Sequence, residues 1–272
     1  MNRCYIVIFL SFIWSSSHAQ NSGFCRFYIG GDFSAGLLNV PLSSISTQVT
    51  SGQTQVDFSN GKGIVFGASL GRTINEYLGF QSDVSYLRGS PVELVSSSDI
   101  DQKNSLTLSS RFYRIGQSFI VRGFKYDQRV TPFGRLGLAC YFGKLEMEER
   151  MVSSSTSTYI KSNIVGDIAF GLSSGAGIEI KLMERISLIL EINSNNISFF
   201  PKEIRAVNWV ENDLNVLSDK PKYLKQTIFE KKLTYYSNDP PSELPRKVLR
   251  QGFPLGSFGF NLGIKINEFF KN

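Results

Sequence analysis

One stretch, residues 167–195, limits what this chain can become more than any other. Ile168, Phe170, Leu172, Ala176, Ile178 and Ile180 occupy every second position, with Ser174 as the polar exception. Asp167, Ala169, Gly171, Ser173, Gly175, Gly177, Glu179 and Lys181 lie between them. A period of two is a β-strand. After Met183-Glu184-Arg185 the alternation resumes, with Ile186, Leu188, Leu190 and Ile192 against Ser187, Glu191 and Asn193, so the stretch reads as a hairpin. A water-soluble barrel covers its outside with Lys, Glu and Thr, whereas the second face here is mostly Gly, Ser and Ala with a few charges. Small residues suit the inside of a narrow, curved wall. The apolar face then points outward, which water forbids and lipid permits.

The same texture recurs along the chain. Phe27, Ile29 and Phe33 alternate with Tyr28, Gly30 and Asp32. Ile64, Phe66, Ala68 and Leu70 alternate with Gly67, Ser69 and Gly71, and Leu78, Phe80, Val84 and Tyr86 with Gly79, Gln81, Asp83 and Ser85. Tyr113, Ile115, Phe119 and Val121 oppose Arg114, Gly116, Ser118 and Arg122, while Leu136, Leu138, Cys140 and Phe142 oppose Arg135, Gly137, Ala139 and Tyr141. The last strand sets Phe258, Phe260, Leu262, Ile264 and Ile266 against Gly259, Asn261, Gly263, Lys265 and Asn267. With the hairpin this makes eight strands. Tight turns alternate with long connections at about 39–61, 89–108, 144–165 and 198–255, the asymmetry of a barrel with short inner turns and long external loops. The expected fold is all-β, an eight-stranded antiparallel up-and-down transmembrane β-barrel with long external loops. Aromatic girdles are expected from Tyr77, Phe124, Tyr126, Phe133, Phe269 and Phe270 at the turn end, and from Tyr86, Tyr141, Phe142, Phe199 and Phe200 at the loop end.

Arg3, the apolar run from Tyr5 to Trp14 and Ser17-His18-Ala19 read as a signal peptide over residues 1–19, leaving a barrel domain over 20–272. Nothing after Gln20 is long and apolar enough for a membrane helix. A net charge of +6 is spread without a Lys/Arg block, so nucleic acid is not an expected partner. Cys25 and Cys140 read as unlinked small apolar residues, because the alternation aims Cys140 at lipid.

Four segments carry a resemblance: Tyr28-Ile29-Gly30-Gly31, Thr131-Pro132-Phe133-Gly134-x-x-Gly137, Gly175-Ala176-Gly177-Ile178-Glu179 and Phe258-Gly259-Phe260-Asn261-Leu262-Gly263-Ile264-Lys265. They resemble the small Gram-negative outer-membrane β-barrel domain family, which includes OmpA/OmpX-like and PorT-like proteins. The resemblance implies a place in the outer membrane, and its motifs specify a fold rather than an activity. Unlike full-length OmpA relatives, this chain leaves no room for a peptidoglycan-binding domain after its last strand, and Lys271-Asn272 follow the terminal aromatic pair.

The only histidine, His18, falls in the signal peptide, so a mature chain has none for a Ser-His-Asp triad or a zinc site. No enzyme, cofactor or metal is therefore expected. Alternation places Asp32, Asp83, Asp167, Glu179 and Glu191 in the lumen against Arg114, Arg122, Arg135, Lys181 and Lys265, an ion-pair network filling a narrow barrel. In the fourth connection Trp209, Tyr223, Phe229, Tyr235 and Tyr236 mingle with lysines, a composition suited to an external binding loop. Ile204, Val207, Val210, Leu214 and Leu217 there recur at roughly helical spacing. The expected partners are outer-membrane lipid, lipopolysaccharide and an envelope or external protein. The expected role is a non-enzymatic surface protein. Alternatives are a small-solute channel or, from the PorT-like resemblance, an accessory part of a secretion or motility apparatus.

Overall fold

The computed structural model describes residues 23–34, 61–99, 102–123, 128–233 and 241–267. The signal peptide, most of the first connection, Phe124, Tyr126, Tyr235, Tyr236, Phe269 and Phe270 lie outside them. Fifteen strands are described: β1 (Gly23–Ser34), β2 (Gly63–Thr73), β3 (Leu78–Gly89), β4 (Val92–Asp99), β5 (Gln102–Arg122), β6 (Val130–Ser153), β7 (Ser157–Gly166), β8 (Ala169–Lys181), β9 (Ile186–Phe199), β10 (Pro201–Glu211), β11 (Leu214–Asn215), β12 (Gln226–Glu230), β13 (Arg246–Leu249), β14 (Phe253–Pro254) and β15 (Ser257–Asn267). The helix α1 (Lys222–Lys225) is a single turn.

Eight of these strands close on themselves. The circuit runs β1-β2-β3-β5-β6-β8-β9-β15 and returns to β1, antiparallel throughout. The eight-stranded barrel is the one the alternation implies, and its faces are inverted relative to a soluble protein. Phe170 is 73% exposed and Leu138 67%, while Ser69, Gln81, Ser118, Ser173, Ser187 and Asn193 are buried. Tyr113 stacks on Phe142 at 5.6 Å and meets Tyr86 at 5.1 Å, an aromatic cluster on the lipid side of the loop end. Tyr141 and Phe199, expected in that girdle, are instead buried. Tyr141 belongs to the inward set of its strand, and the parity of β9 carries Phe199 inward with Ile197. Cys25 and Cys140 are free.

A transmembrane strand needs about 9–11 residues. β5 has 21 and β6 has 24, so each continues well beyond the bilayer. Their outer halves build a second sheet in the order β4-β5-β6-β7-β10-β12-β13, with β11 on the far end of β10. The connections 89–108 and 144–165 are thus largely hairpins rather than loops, and Ser154–Thr156 make the tight turn between β6 and β7. Their polar composition reflects strands that meet water where the barrel strands meet lipid.

The segment 198–255 also differs from a long loop. It contributes β10 to β14, and its apolar spacing belongs to a strand rather than a helix. Two register irregularities interrupt the β10–β7 pairing, one between Pro201 and Glu203 and one between Ala206 and Asn208. A bulge inserts one residue and turns a step of two into a step of three. Ala206 and Trp209 therefore share the buried side while Val207 and Leu214 are exposed, so the helically spaced apolar residues do not form one face.

Candidate functional site

Two regions concentrate polar chemistry, the lumen and the external sheet. In the lumen, Glu191 holds two guanidinium groups. Arg26 Nη1 reaches its Oε2 at 2.6 Å, and Arg135 Nε and Nη2 both reach its Oε1 at 2.7 Å. Towards the loop end, Arg114 Nη2 pairs with Asp83 Oδ2 at 2.9 Å and donates to the Tyr28 hydroxyl at 2.8 Å, while Nη1 donates to Asn195 Oδ1 at 3.1 Å. Asn195 Nδ2 donates to Ser257 Oγ at 3.2 Å, which donates to Asp32 Oδ2 at 2.9 Å. At the turn end, Lys265 Nζ lies 2.8 Å from both Glu179 oxygens and 4.6 Å from the centre of the Phe24 ring.

Glycines make room for these large groups. A Cβ on Gly71 would sit 2.1 Å from the Phe24 ring, and one on Gly67 2.3 Å from the Tyr28 ring. The Gly/Ser texture of the inner face is the space that Phe24, Tyr28 and the arginines occupy.

Of the residues expected in the lumen, Asp32, Asp83, Arg114, Arg135, Glu179, Glu191 and Lys265 join this network. Arg122 is buried on the same inner face, next to the backbone of Gly79. Lys181 is half-buried where β8 ends at its turn. Asp167 does not enter the lumen. It lies between β7 and β8, where Lys202 and Arg250 bind its two oxygens and tie the fourth connection to the rim. Arg26, which the sequence reading passed over, takes a central place. The alternation that starts at Phe27 extends one step back to Arg26 and would have found it.

Above the network the mouth is closed by apolar side chains. Leu108, Phe112, Leu145, Ile164, Ile197, Phe199 and Leu255 form one buried cluster that continues down to Tyr28 and Tyr141. Phe112 and Phe199 are each 0% exposed and meet edge to face, with ring centroids 5.2 Å apart.

The external sheet has its own small core. Ile160, Ala206 and Trp209 pack together with Met151, Val216 and Leu217 against them. Trp209, proposed from sequence as an exposed anchor, is 9% exposed. Its indole N–H donates to Glu211 at 2.9 Å, and Lys220 lies 5.3 Å from its ring centre, so it builds the sheet rather than displaying itself. Tyr223 and Phe229 are half-buried on α1 and β12. Ion pairs lace the same sheet. Lys144, Arg111 and Lys161 surround Glu146, and the Lys144 hydrogen bond leads them in holding its carboxyl below the usual range. Burial pushes Glu149 the other way. Lys202 and Arg250 hold Asp167 below its ordinary value.

Between β10, β11, α1 and β12 lies an open cleft of about 590 Å³. Arg205, Lys222 and Lys225 line it with Asn215, Ser218 and Gln226, over a floor of Ala206 and Leu217. Among the described residues, no group of three or more His, Cys, Asp and Glu side chains is placed to hold a metal ion.

Residues 6–219 match a family described as the outer membrane protein beta-barrel domain. The chain belongs to this family. Its location is accordingly the outer membrane of a Gram-negative bacterium. Among solved structures it is similar to Neisserial surface protein A, at 12% identity over 92% of this chain and 98% of that one, with a TM-score of 0.39. It is similar also to Ail, the attachment invasion locus protein of Yersinia pestis, at 9% identity over 91% and 98%, with a TM-score of 0.32. OprG of Pseudomonas aeruginosa matches at 10% identity over 92% and 96%, with a TM-score of 0.41. No curated protein matches.

Proposed function

We propose that this family member is a non-conducting, non-enzymatic barrel that holds a folded β-sheet lobe outside the cell as a binding surface. The observation that carries the reading is the doubled length of β5 and β6, which leave the barrel together and build a sheet with its own core over a filled lumen. A barrel that only spans needs none of that sheet. A barrel that conducts needs an open lumen, and this one holds buried ion pairs beneath an apolar mouth. Export through cleavage after Ala19 removes His18 and with it any histidine-dependent catalysis. The partners in this reading are outer-membrane lipid and lipopolysaccharide around the apolar belt, and an envelope or external molecule on the lobe. An accessory role in a secretion or motility apparatus is the form this takes if the partner is an envelope protein.

The test has two arms. The full-length protein in planar lipid bilayers stays silent, and steady single-channel steps would overturn the reading in favour of a channel. A protease site placed in the turn at Ser154-Ser155 is cut on intact cells. Protection there, with cleavage only after the outer membrane is opened, would place the lobe on the wrong side.

A further inference from the structure

The cleft between β10 and α1 gathers three cations in one lining. Elsewhere in the sheet cations meet carboxylates, as in Lys161 with Glu148, Lys220 with Glu211 and Lys247 with Glu230. The cleft lining contains Arg205, Lys222 and Lys225 and no Asp or Glu. The Lys222 ammonium has no partner among the described residues. The Lys225 ammonium donates, among the described residues, to the Ser218 carbonyl at 3.3 Å. Glu203, outside the lining, forms an ion pair with Arg205 Nε at 2.8 Å and accepts from Gln226 at 2.9 Å, which orients the guanidinium and leaves its two terminal nitrogens free among the described residues.

We propose that this cleft binds an anionic saccharide, a sugar chain bearing phosphate or sulfate esters. The proposal rests on the surface-binding reading above and names its site and ligand class. Three observations point to the ligand. The volume falls within the ~300–1,000 Å³ of small-molecule sites, so the cleft holds more than a lone inorganic anion. The cations suit ester anions, and a guanidinium with both terminal nitrogens free can grip one bidentately. The remaining polar lining is amide and hydroxyl, from Asn215, Gln226 and Ser218, which matches sugar hydroxyls, and no aromatic ring lines the cleft to stack a nucleobase.

Arg205 lies four residues along β10 from Pro201, which pairs with Gly166, a path of roughly 13 Å along the strand at about 3.3 Å per residue, so the cleft stands off from the barrel end. A saccharide reaching that level comes either from the cell's own lipopolysaccharide or from outside.

The test titrates the full protein, folded in detergent free of lipopolysaccharide, with two pairs of probes. One pair is a sulfated heparin hexasaccharide and its desulfated form. The other is deacylated lipopolysaccharide oligosaccharide before and after phosphatase treatment. At least one charged probe binds, its uncharged partner binds tenfold or more weakly, and affinity falls as salt rises. The variant K222Q/K225Q loses tenfold or more, whereas K231Q/K232Q, on the same lobe outside the cleft, stays within twofold. Binding only to the phosphorylated probe makes the cell's own glycan the source, and binding only to the sulfated probe makes it external. No binding by either charged probe, equal binding of the uncharged forms, or an unaffected K222Q/K225Q overturns the proposal. Unheated gel mobility in SDS shows that each variant is a folded barrel. The bilayer and protease experiments do not depend on this cleft, so its failure is separable from failure of the surface-binding reading.

Discussion

At the scale of single residues, Glu191 is central to the barrel, because one carboxylate pairs with two buried guanidiniums. Breaking a buried pair by removing one partner costs about 3–5 kcal/mol, since the charge left behind has no water to replace it. Glu191→Gln is therefore expected to lower the unfolding free energy of the barrel by that order, seen as a lower urea midpoint of the heat-dependent gel shift. A variant that keeps the wild-type midpoint would show that the network is not what holds the wall. Glu146 makes a smaller, pH-dependent contribution in the external sheet. Its carboxyl is held below the ordinary value of 4.5, first by the hydrogen bond from Lys144 and then by the charges of Lys144, Arg111 and Lys161. A carboxylate depressed on folding adds stability that is present above 4.5 and is lost as pH falls through the lower folded value. Partly exposed partners keep this to about 1 kcal/mol or less. Glu146→Gln is expected to be slightly less stable at pH 7 and to lose less stability between pH 5 and pH 3. Acid titration of Trp209 fluorescence measures both slopes, and parallel curves would refute the assignment.

At the scale of elements, Trp209 shows how the lobe holds together apart from the barrel. It packs on Ile160 from β7 and on Val216 and Leu217 beyond β11, so it joins three segments of the outer sheet. Trp209→Ala removes that contact at a cost of about 3–5 kcal/mol. The expected result is faster proteolysis of β10 to β13 with an unchanged barrel gel shift, and loss of the barrel as well would mean that the two are not separate units. Legibility in the sequence divides along the same line. Every barrel strand announces itself, because lipid on one side and a cramped lumen on the other force an alternation that no soluble strand shows, as in Phe258 to Asn267. The outer halves of β5 and β6 read as loops because both of their faces lie outside the bilayer, and Ser, Thr and Lys then satisfy them. The bulge at Val207 hid β10 by shifting Trp209 one place in phase. The cleft was not legible at all, since Arg205 and Lys222 meet only after β10 and α1 fold back on each other. In the sequence the lysines are a composition and not a place.

At the scale of the whole molecule, the barrel is closed twice. The lower barrier is the Arg26–Glu191–Arg135 and Arg114–Asp83 network, and the upper one is the apolar cluster around Phe112 and Phe199. The two lie in series along one axis, so an ion must pass both. Opening either alone leaves the other in place. Phe112→Ala/Phe199→Ala is therefore expected to stay silent in planar bilayers, because the charged side chains beneath still fill the lumen. The triple variant R26A/R135A/E191A is also expected to stay silent, since its widened lumen ends at a mouth that water does not wet. Only the combination of all five substitutions with R114A and D83A, in protein that still shows the heat-dependent gel shift, is expected to conduct. If that folded seven-fold variant remains silent, closure lies elsewhere and the two layers are only packing. If either partial variant conducts, one layer alone is the gate, and the barrel is a channel held shut by a single barrier.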